Sequence, residues 1–437
     1  MTTVTRRSLL INSANAAIAS AMFSLSGHSR VSANDRVSVA VIGVGGMGTA
    51  HLRFLSDLKD AHIAAVCDVD EQHLRKAVEF VKTRTGQSPA TAGDFRRTLD
   101  DASIDAVVIA TPHHWHCPIA LQALQAGKDV YVEKPAGHRF RETRLLVEAA
   151  KKYKRIVQHG TQMRSSNVLT EIRSVLDSGI LGKIVMARAW NIQGKSRNLK
   201  AVPDSPVPPG VDYDRWLGPA PKHPFNQQRF HRLWRSFRDY GNGDMGDDGA
   251  HDLDLARWGL GATTHPVRIT AHGNNLFEQG YREYPDNMMV SFQYADGRVL
   301  TYEERAGFEY GQNGTDSSNA VYGTDGYIIF SRRGFYRTYL GKKEEPGPAA
   351  GKAGRVGDAV HPHHQDFLNC VRTRKPTQAG AEVAHLSCAL IHLGEIAFRT
   401  RTVIEFDPQT EQITNSKQAN RMLTKNYRKP YGLPEAV

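Results

Sequence analysis

Cysteine is scarce in this chain of 437 residues: Cys67, Cys117, Cys370 and Cys388 are the whole set. No two of them form a C-x-x-C pair, which excludes the usual cysteine-based zinc and redox motifs. H-E-x-x-H is missing too, with no matching carboxylate set, so no metal is expected. Cys67 reads as a small apolar filler in a buried strand. An oxidising compartment would permit a Cys370–Cys388 disulfide, although a chain this long does not need one. Past the N-terminus no apolar run approaches the roughly 18 residues of a membrane span, so the body is expected to be soluble, with no membrane partner. Nucleic-acid motifs and internal repeats are absent. The net charge of +11 comes from Lys and Arg scattered among Asp and Glu. That is the pattern of a solvated basic surface rather than a nucleic-acid footprint.

Acids are absent from residues 1–33, which hold Arg6, Arg7 and Arg30. The arginine pair precedes a mildly apolar run, Leu9 to Leu25, interrupted by Asn12, Ser13, Asn15 and Ser20. Val31-Ser32-Ala33 then offers a small-residue cleavage pattern before Asn34. The segment resembles a bacterial twin-arginine signal, whose route carries folded proteins. Export, to a periplasm or beyond, is expected, and residues 1–33 are set apart from the fold.

A dinucleotide-binding pattern begins a few residues after Asn34. Val37 to Ile42 is a short β-branched run that suits a buried parallel strand. Gly43-Val44-Gly45-Gly46-Met47-Gly48 comes next, and Met47, Ala50, Phe54 and Leu58 then recur at helical spacing. G-x-G-x-x-G between strand and helix cradles a pyrophosphate: Gly43 for the turn, Gly45 for backbone approach, Gly48 for helix packing. A second strand, Ile63 to Cys67, ends at Asp68, 20 residues past Gly48, where an acid would bind the adenosine ribose hydroxyls. A carboxylate there repels a 2′-phosphate, so NAD is favoured over NADP. Strands at Ile104–Ala110, Val130–Val132 and Ile156–Val157 alternate with helices at Ile119–Ala126 and Leu145–Tyr153. The expectation is an α/β fold: a doubly wound parallel sheet over residues 34–159, with ligands beyond the carboxyl ends of its strands. Thr111, His114, Glu133 and Lys134 all fall there.

Four segments, GVGGMG, VCDVD, IATPHHWHCPIALQALQAGKDVYVEKP and GDMGDDGAHDLDLARW, make the chain similar to the glucose–fructose oxidoreductase/inositol dehydrogenase (Gfo/Idh/MocA) family. The resemblance runs from about Val37 to the C-terminus, and Glu133-Lys134-Pro135 is its most specific mark. It implies a Rossmann domain followed by an open, mainly antiparallel sheet, and NAD(P)-dependent oxidation or reduction of a ring carbon in a sugar, inositol or related polyol. The expected cofactor set is Gly43, Gly45, Gly46, Met47, Gly48, Asp68, Thr111, His114, Trp115, Glu133 and Lys134.

Hydride transfer needs a group to handle the hydroxyl proton. The resemblance makes Lys134 the first candidate, its charge disfavoured beside a positive nicotinamide; a plain Glu133–Lys134 ion pair is the alternative. The family's D-x-x-x-H pair corresponds to Asp247 and His251. Four apart, they would share one helix face, with His251 as the acid/base partner of Lys134 and Asp247 orienting it or touching a substrate hydroxyl; N-terminal acids on a helix dipole beside a surface histidine are the bland alternative. Arg164 and Trp234 complete the expected substrate set with Asp247 and His251. His114 and Trp115 are expected beside the nicotinamide, whereas His113 stands where the family commonly has an acid. In RFHRLWRSFRDY, Arg229, Arg232, Arg235 and Arg238 interleave with aromatics, fitting either sugar stacking and carboxylate binding or a structural amphipathic segment. His363 or His364 would lie near the substrate.

The second domain, residues 160–437, is expected to bind substrate and to mediate homo-oligomerisation. A strand is read at Lys183–Ile192, a proline-rich loop at Pro203–Pro224, and a hairpin at Met288–Tyr294 and Val299–Glu304 around Asp296-Gly297. Further strands are read at Val321–Phe330 and Phe335–Leu340, a mobile excursion at Glu344–Gly357, and helices at Phe367–Arg372 and Ala384–Phe398. The tail, Asn420 to Val437, is expected to wrap over its own or another subunit. Three functions compete: a sugar or polyol dehydrogenase, a redox-neutral NAD-dependent glycosidase or lyase working through a transient ketone, and a non-catalytic cofactor-binding protein. Intact Lys134, Asp247 and His251 count against the third. An export address favours a retained NAD, since no soluble pool would replenish it.

Overall fold

Val37–Ile42 (β1) is buried along nearly its whole length, as a strand covered on both faces must be. It is described in a computed structural model covering residues 36–193, 199–276, 280–307, 310–351, 359–434 and 436–437. The twin-arginine segment and residues 352–357 of the Gly/Pro/Lys-rich excursion lie outside the described residues.

β1 leads into helix α1 (Gly46–Ser56), then β2 (Ala61–Cys67), α2 (Glu71–Thr85), β3 (Ala90–Ala92), α3 (Phe95–Asp100), β4 (Ala106–Ile109), α4 (His113–Gln125), β5 (Asp129–Val132), α5 (Phe140–Tyr153) and β6 (Val157–His159). All six strands are parallel, in the order β3-β2-β1-β4-β5-β6. The order reverses beside β1, so the crevice beyond β1 and β4 is the natural ligand site of such a sheet.

α6 (Asn167–Asp177), β7 (Ile184–Gln193), α7 (Tyr213–Leu217), α8 (Gly243–Gly246) and α9 (Gly249–Leu260) open the second half. Seven strands come next: β8 (Arg268–Asn274), β9 (Asn287–Gln293), β10 (Val299–Ala306), β11 (Ser317–Gly323), β12 (Gly326–Ser331), β13 (Phe335–Leu340) and β14 (Glu345–Ala350). α10 (Val360–Thr373), α11 (Ala381–Thr400), β15 (Ile404–Asp407), β16 (Gln412–Ile413) and α12 (Lys417–Arg421) complete the chain. β7 to β16 form a ten-stranded sheet, order β14-β13-β12-β11-β7-β10-β9-β8-β15-β16. Its pairings are antiparallel except β7 with β10, which is parallel. α9 packs on this sheet: Leu253, Ala256 and Leu260 join Ala187, Ala189, Leu300 and Val321 in one core.

Three readings of the sequence change here. Val321–Phe330 is not one strand but parts of two, β11 and β12, joined by a turn at Thr324-Asp325. Glu345–Ala350, read as part of a mobile excursion, is a strand paired with β13; its prolines sit on the sheet edge, where no ladder bond is lost. Helix α4 starts six residues before Ile119 and carries Pro118 within its first turns.

The two sheets do not divide the helices between them as the chain order suggests. Phe367, Leu368 and Val371 of α10 pack with Val39, Val41, Leu52 and Leu55 against one face of the parallel sheet. α11 supplies Ala384 and Cys388 to its other face. Among the described residues, α11 is the helix long and apolar enough to cross a membrane, and 72% of that window is buried inside the protein. All four cysteines are free thiols. Cys370 lies against the Asp366 carboxylate and the Pro376 carbonyl, and Cys388 meets the Ala136 amide, so the Cys370–Cys388 bridge is not formed.

Candidate active site

A cavity of about 1460 Å³ runs from the glycine turn after β1 to the second sheet. Gly43 takes φ +84, and a Cβ there would meet the Ala110–Thr111 peptide at 2.8–2.9 Å. A Cβ on Gly48 would come within 1.8 Å of the Gly43 carbonyl, so helix and turn fit together only as glycines. No side chain caps the N-terminus of α1, which leaves its first N–H groups to face the cavity. The Thr111 hydroxyl, buried on the cavity wall, has no hydrogen-bond partner among the described residues. This cradle fits a dinucleotide, with Gly43 to Gly48 holding its pyrophosphate. Asp68 lines the cavity at the end of β2, accepts from the Val44 and Asp70 amides at 2.8 and 3.0 Å, and stands 3.4 Å from His73 Nδ1. That hydrogen bond, opposed by burial, raises the His73 pKa.

At the far end stand Lys134, Asp247 and His251. Lys134 Nζ donates to the Asp247 carbonyl at 2.7 Å and to Oδ1 at 2.8 Å. Arg235 Nε lies 2.9 Å from Asp247 Oδ2. Asp247 is thus the anion between two cations, rather than the support of His251. The shared helix face is absent because the glycine-rich run GNGDMGDDG breaks the helix. α8 ends at Gly246, Asp247 has ψ −96, and α9 begins only at Gly249. Gly249 is needed there, since a Cβ would strike the Tyr302 hydroxyl at 2.2 Å. His251 lines the cavity with Nδ1 unpartnered among the described residues. Burial, then the charges of Lys134 and Arg332, press its pKa down to about 3, so its imidazole is neutral at ordinary pH.

Several expected site residues are elsewhere. His114 is buried between Trp216 and Tyr240, bonded to the Trp216 carbonyl at 3.0 Å; its side of α4 faces the aromatic core, and the neighbouring His113 faces the cavity instead. Trp115 lines the cavity but packs edge-on against Phe95 and Tyr431. Arg164 does not reach the cavity: its guanidinium grips Asp254 bidentately at 2.7 and 2.8 Å, a buried pair behind the site. His363 is hydrogen-bonded to Ser165 and the His159 carbonyl, and His364 is stacked on Tyr131; neither lines the cavity. Trp234 does, with His113 edge-on at 4.6 Å and the Arg235 guanidinium 4.3 Å over its ring. Of the other arginines in that run, Arg232 lines the cavity at an exposed position, whereas Arg229 lies over Phe237 and Tyr281 and Arg238 over Tyr284, which is structural packing.

His51 carries no local sequence signal, yet it sits one turn into α1 on the buried face. Its Nε2 is 3.1 Å from Glu133 Oε1 and its Nδ1 is 2.8 Å from His364 Nε2. His364 Nδ1 faces the Val360 carbonyl at 2.9 Å, so that nitrogen bears the proton and Nε2 the lone pair. His51 Nδ1 therefore donates. Burial would raise the Glu133 pKa, but the His51 hydrogen bond and the His51 and Lys134 charges outweigh it and hold the carboxyl at about 2. His51 Nε2 and Glu133 form a buried hydrogen-bonded pair beside Lys134. Because the folded pKa lies below the ordinary 4.5, the pair adds stability at neutral pH that is lost as pH falls from about 4.5 toward 2. Glu133→Gln is expected to lose about 2 kcal/mol at pH 7 and progressively less below pH 4. Denaturant unfolding across that range tests it; a pH-independent difference would refute the pairing.

Two family models match the chain: "Oxidoreductase family, NAD-binding Rossmann fold" over residues 37–161, and "Oxidoreductase family, C-terminal alpha/beta domain" over residues 165–433. Inositol 2-dehydrogenase 2 of Saccharopolyspora erythraea is 28% identical over 283 residues, 64% of this chain and 70% of that protein. A glycosyl hydrolase family 109 protein of Shewanella pealeana is 28% identical over 172 residues, so the match spans 38% of each chain. Levoglucosan dehydrogenase, solved with NADH and levoglucosan, shares the fold with a TM-score of 0.64 at 20% identity, over 85% of this chain and 99% of that one. With a glycine cradle that fits NAD and family models covering both halves, the chain is an enzyme belonging to the Gfo/Idh/MocA oxidoreductase family.

Proposed function

We propose that this enzyme oxidises a ring hydroxyl of a sugar or polyol, keeps its NAD bound, and returns the hydride to a second sugar before the next cycle begins. The observation carrying the second part is a strap across the cofactor groove. Residues 199–240, between β7 and α8, are stitched to the loop after β2. Glu71 N donates to the Gly210 carbonyl at 3.0 Å, Asp212 N to the Val69 carbonyl at 2.9 Å, and His231 Nε2 lies 3.1 Å from Asp70 Oδ2. His231 and Asp68 line the same cavity. The C-terminal tail adds a second fastening. Arg428 donates to the Gly218 carbonyl at 2.7 Å, and Tyr431, on Trp115, reaches the cavity wall. Release of a dinucleotide held by Gly43–Gly48 and Asp68 would require these contacts to part.

Bound nicotinamide supplies the hydride acceptor. Neutral His251 takes the hydroxyl proton, and Lys134, held by Asp247, donates a hydrogen bond to the oxygen as charge develops on it. Trp234 offers an aromatic face to the ring. Kinship with glycosyl hydrolase family 109 supports a second reading: the hydride returns to the same sugar after the transient ketone has acidified a neighbouring C–H and a glycosidic bond has been eliminated. Export of the folded, loaded protein by the twin-arginine route is part of the proposal, because a restored cofactor needs no external pool.

Protein purified without added cofactor, then denatured, is expected to release nearly one NAD(H) per chain and to build up no free NADH on sugar. An empty protein that turns over only with added NAD would overturn retention and leave an ordinary dehydrogenase.

A further inference from the structure

Asn191 lies on β7 near the centre of the second sheet, flanked in register by Glu304 on β10 and Ser317 on β11. It lines the cavity with His251, Asp247 and Arg332, and is only 3% exposed. Neither its Oδ1 nor its Nδ2 has a hydrogen-bond partner among the described residues. Its neighbours are engaged elsewhere. The Ser317 hydroxyl donates to Asp252 Oδ1 at 2.8 Å and accepts from Arg332 Nε at 2.8 Å, while Glu304 Oε2 accepts from the Tyr302 hydroxyl at 2.9 Å. A buried carboxamide with both ends unpaired forfeits its hydration and gains nothing in the fold, so a purely structural asparagine would have found a partner. Gln162 Oε1, on the same cavity wall, is also unpartnered among the described residues.

The charges around Asn191 narrow the ligand further. Lys134 and Arg235 are paired with Asp247, Arg332 with Asp248, and Arg305 with Glu303. At these cations a carboxylate, sulfate or phosphate would compete with an acid already paired there, and Arg232, on the same cavity wall, is exposed to solvent. A neutral ring need break none of these pairs. A primary carboxamide presents a donor and an acceptor side by side, which matches two adjacent hydroxyls, one accepting and one donating. An acetamido group has a trans amide (N–H and C=O on opposite edges) and cannot engage both ends.

Building on the polyol oxidoreductase reading, we propose that Asn191 selects a neutral ring bearing a vicinal diol: Nδ2 donates to one hydroxyl and Oδ1 accepts from its neighbour. The test uses the holoenzyme, with D-glucose, myo-inositol and levoglucosan as probes and reduction of the bound nicotinamide as the readout. Monodeoxy derivatives of whichever probe reacts are then compared. Asn191→Ala is expected to lower the second-order rate of that reduction about 100-fold on the parent, mainly through weaker sugar binding. On the derivative lacking a gripped hydroxyl, the same substitution is expected to cost less than about 5-fold, because the contact is already gone. Asn191→Leu, which fills the space without polar atoms, is expected to keep or raise the melting temperature; a structural amide would lower it. An equal loss on the parent and every monodeoxy derivative, or a preference for 2-acetamido sugars, overturns the diol assignment alone. Wild-type holoenzyme that reduces its cofactor with none of the probes overturns the polyol reading and the assignment with it.

Discussion

Lys134→Ala is expected to cut turnover about 1000-fold, within the range for losing a group that handles a transferred proton or developing charge, while the bound nicotinamide stays in place. The separation of effects comes from where the lysine is tied. Its ammonium reaches away from the glycine turn to the Asp247 carboxylate and carbonyl. Gly43 to Gly48 and Asp68, which would hold the dinucleotide, touch none of those atoms. Nor does the substitution strand a charge, since Asp247 keeps Arg235 at 2.9 Å. Removing a cation that helps depress the His251 pKa is also expected to move the lower limb of the pH–rate profile upward in the residual activity. Released NAD(H) per chain, measured beside single-turnover reduction, separates the two effects. Turnover within about 10-fold of wild type would remove Lys134 from the chemistry, and loss of the nicotinamide would make it a binding residue instead.

What the sequence disclosed and what it hid divide by range. The glycine turn and Asp68 were legible because their requirements are local: a positive φ at Gly43, a close approach at Gly48, and a fixed spacing to the next strand end. The hairpin around Asp296-Gly297 was legible for the same reason, and β9 and β10 pair as its turn residues demand. Asp247 and His251 share the cavity as expected, but their mutual contact does not form, because helical spacing is no guide across glycines that stop one helix and start another. His114 was expected at the cavity, where its neighbour His113 stands instead; one position on a helix turns a side chain by about 100° and exchanges cavity for core. His51, Asn191 and Asp70 left no trace in the sequence. Their meaning comes from Glu133, from the cavity that β7 lines, and from His231, 161 residues away.

Arg164 is the sharpest case, and its correction carries the second large effect: Arg164→Leu is expected to destabilise the protein by about 4 kcal/mol without altering KM for the sugar. The guanidinium is 8% exposed and the Asp254 side chain 1%. Burial would push the Asp254 carboxyl up, yet the charge and twin hydrogen bonds of Arg164, along with Arg257 and Ser387, hold it down at about 2. Without Arg164, Asp254 would keep the Ser387 hydroxyl at 2.6 Å and a distant Arg257 contact at 3.9 Å, too little to offset a buried carboxylate. The effect has a pH signature. A carboxyl whose folded pKa lies below its ordinary 3.8 adds stability above that pH and loses it as pH falls toward 2. The deficit of the variant is therefore expected to be full at pH 7 and to shrink below pH 4. Denaturant midpoints at pH 7 and pH 3, taken with sugar kinetics on the folded variant, decide the matter. A stable variant with KM raised 10-fold or more would return Arg164 to the substrate site, and an equal deficit at both pH values would mean that packing, not the ion pair, is what the arginine supplies.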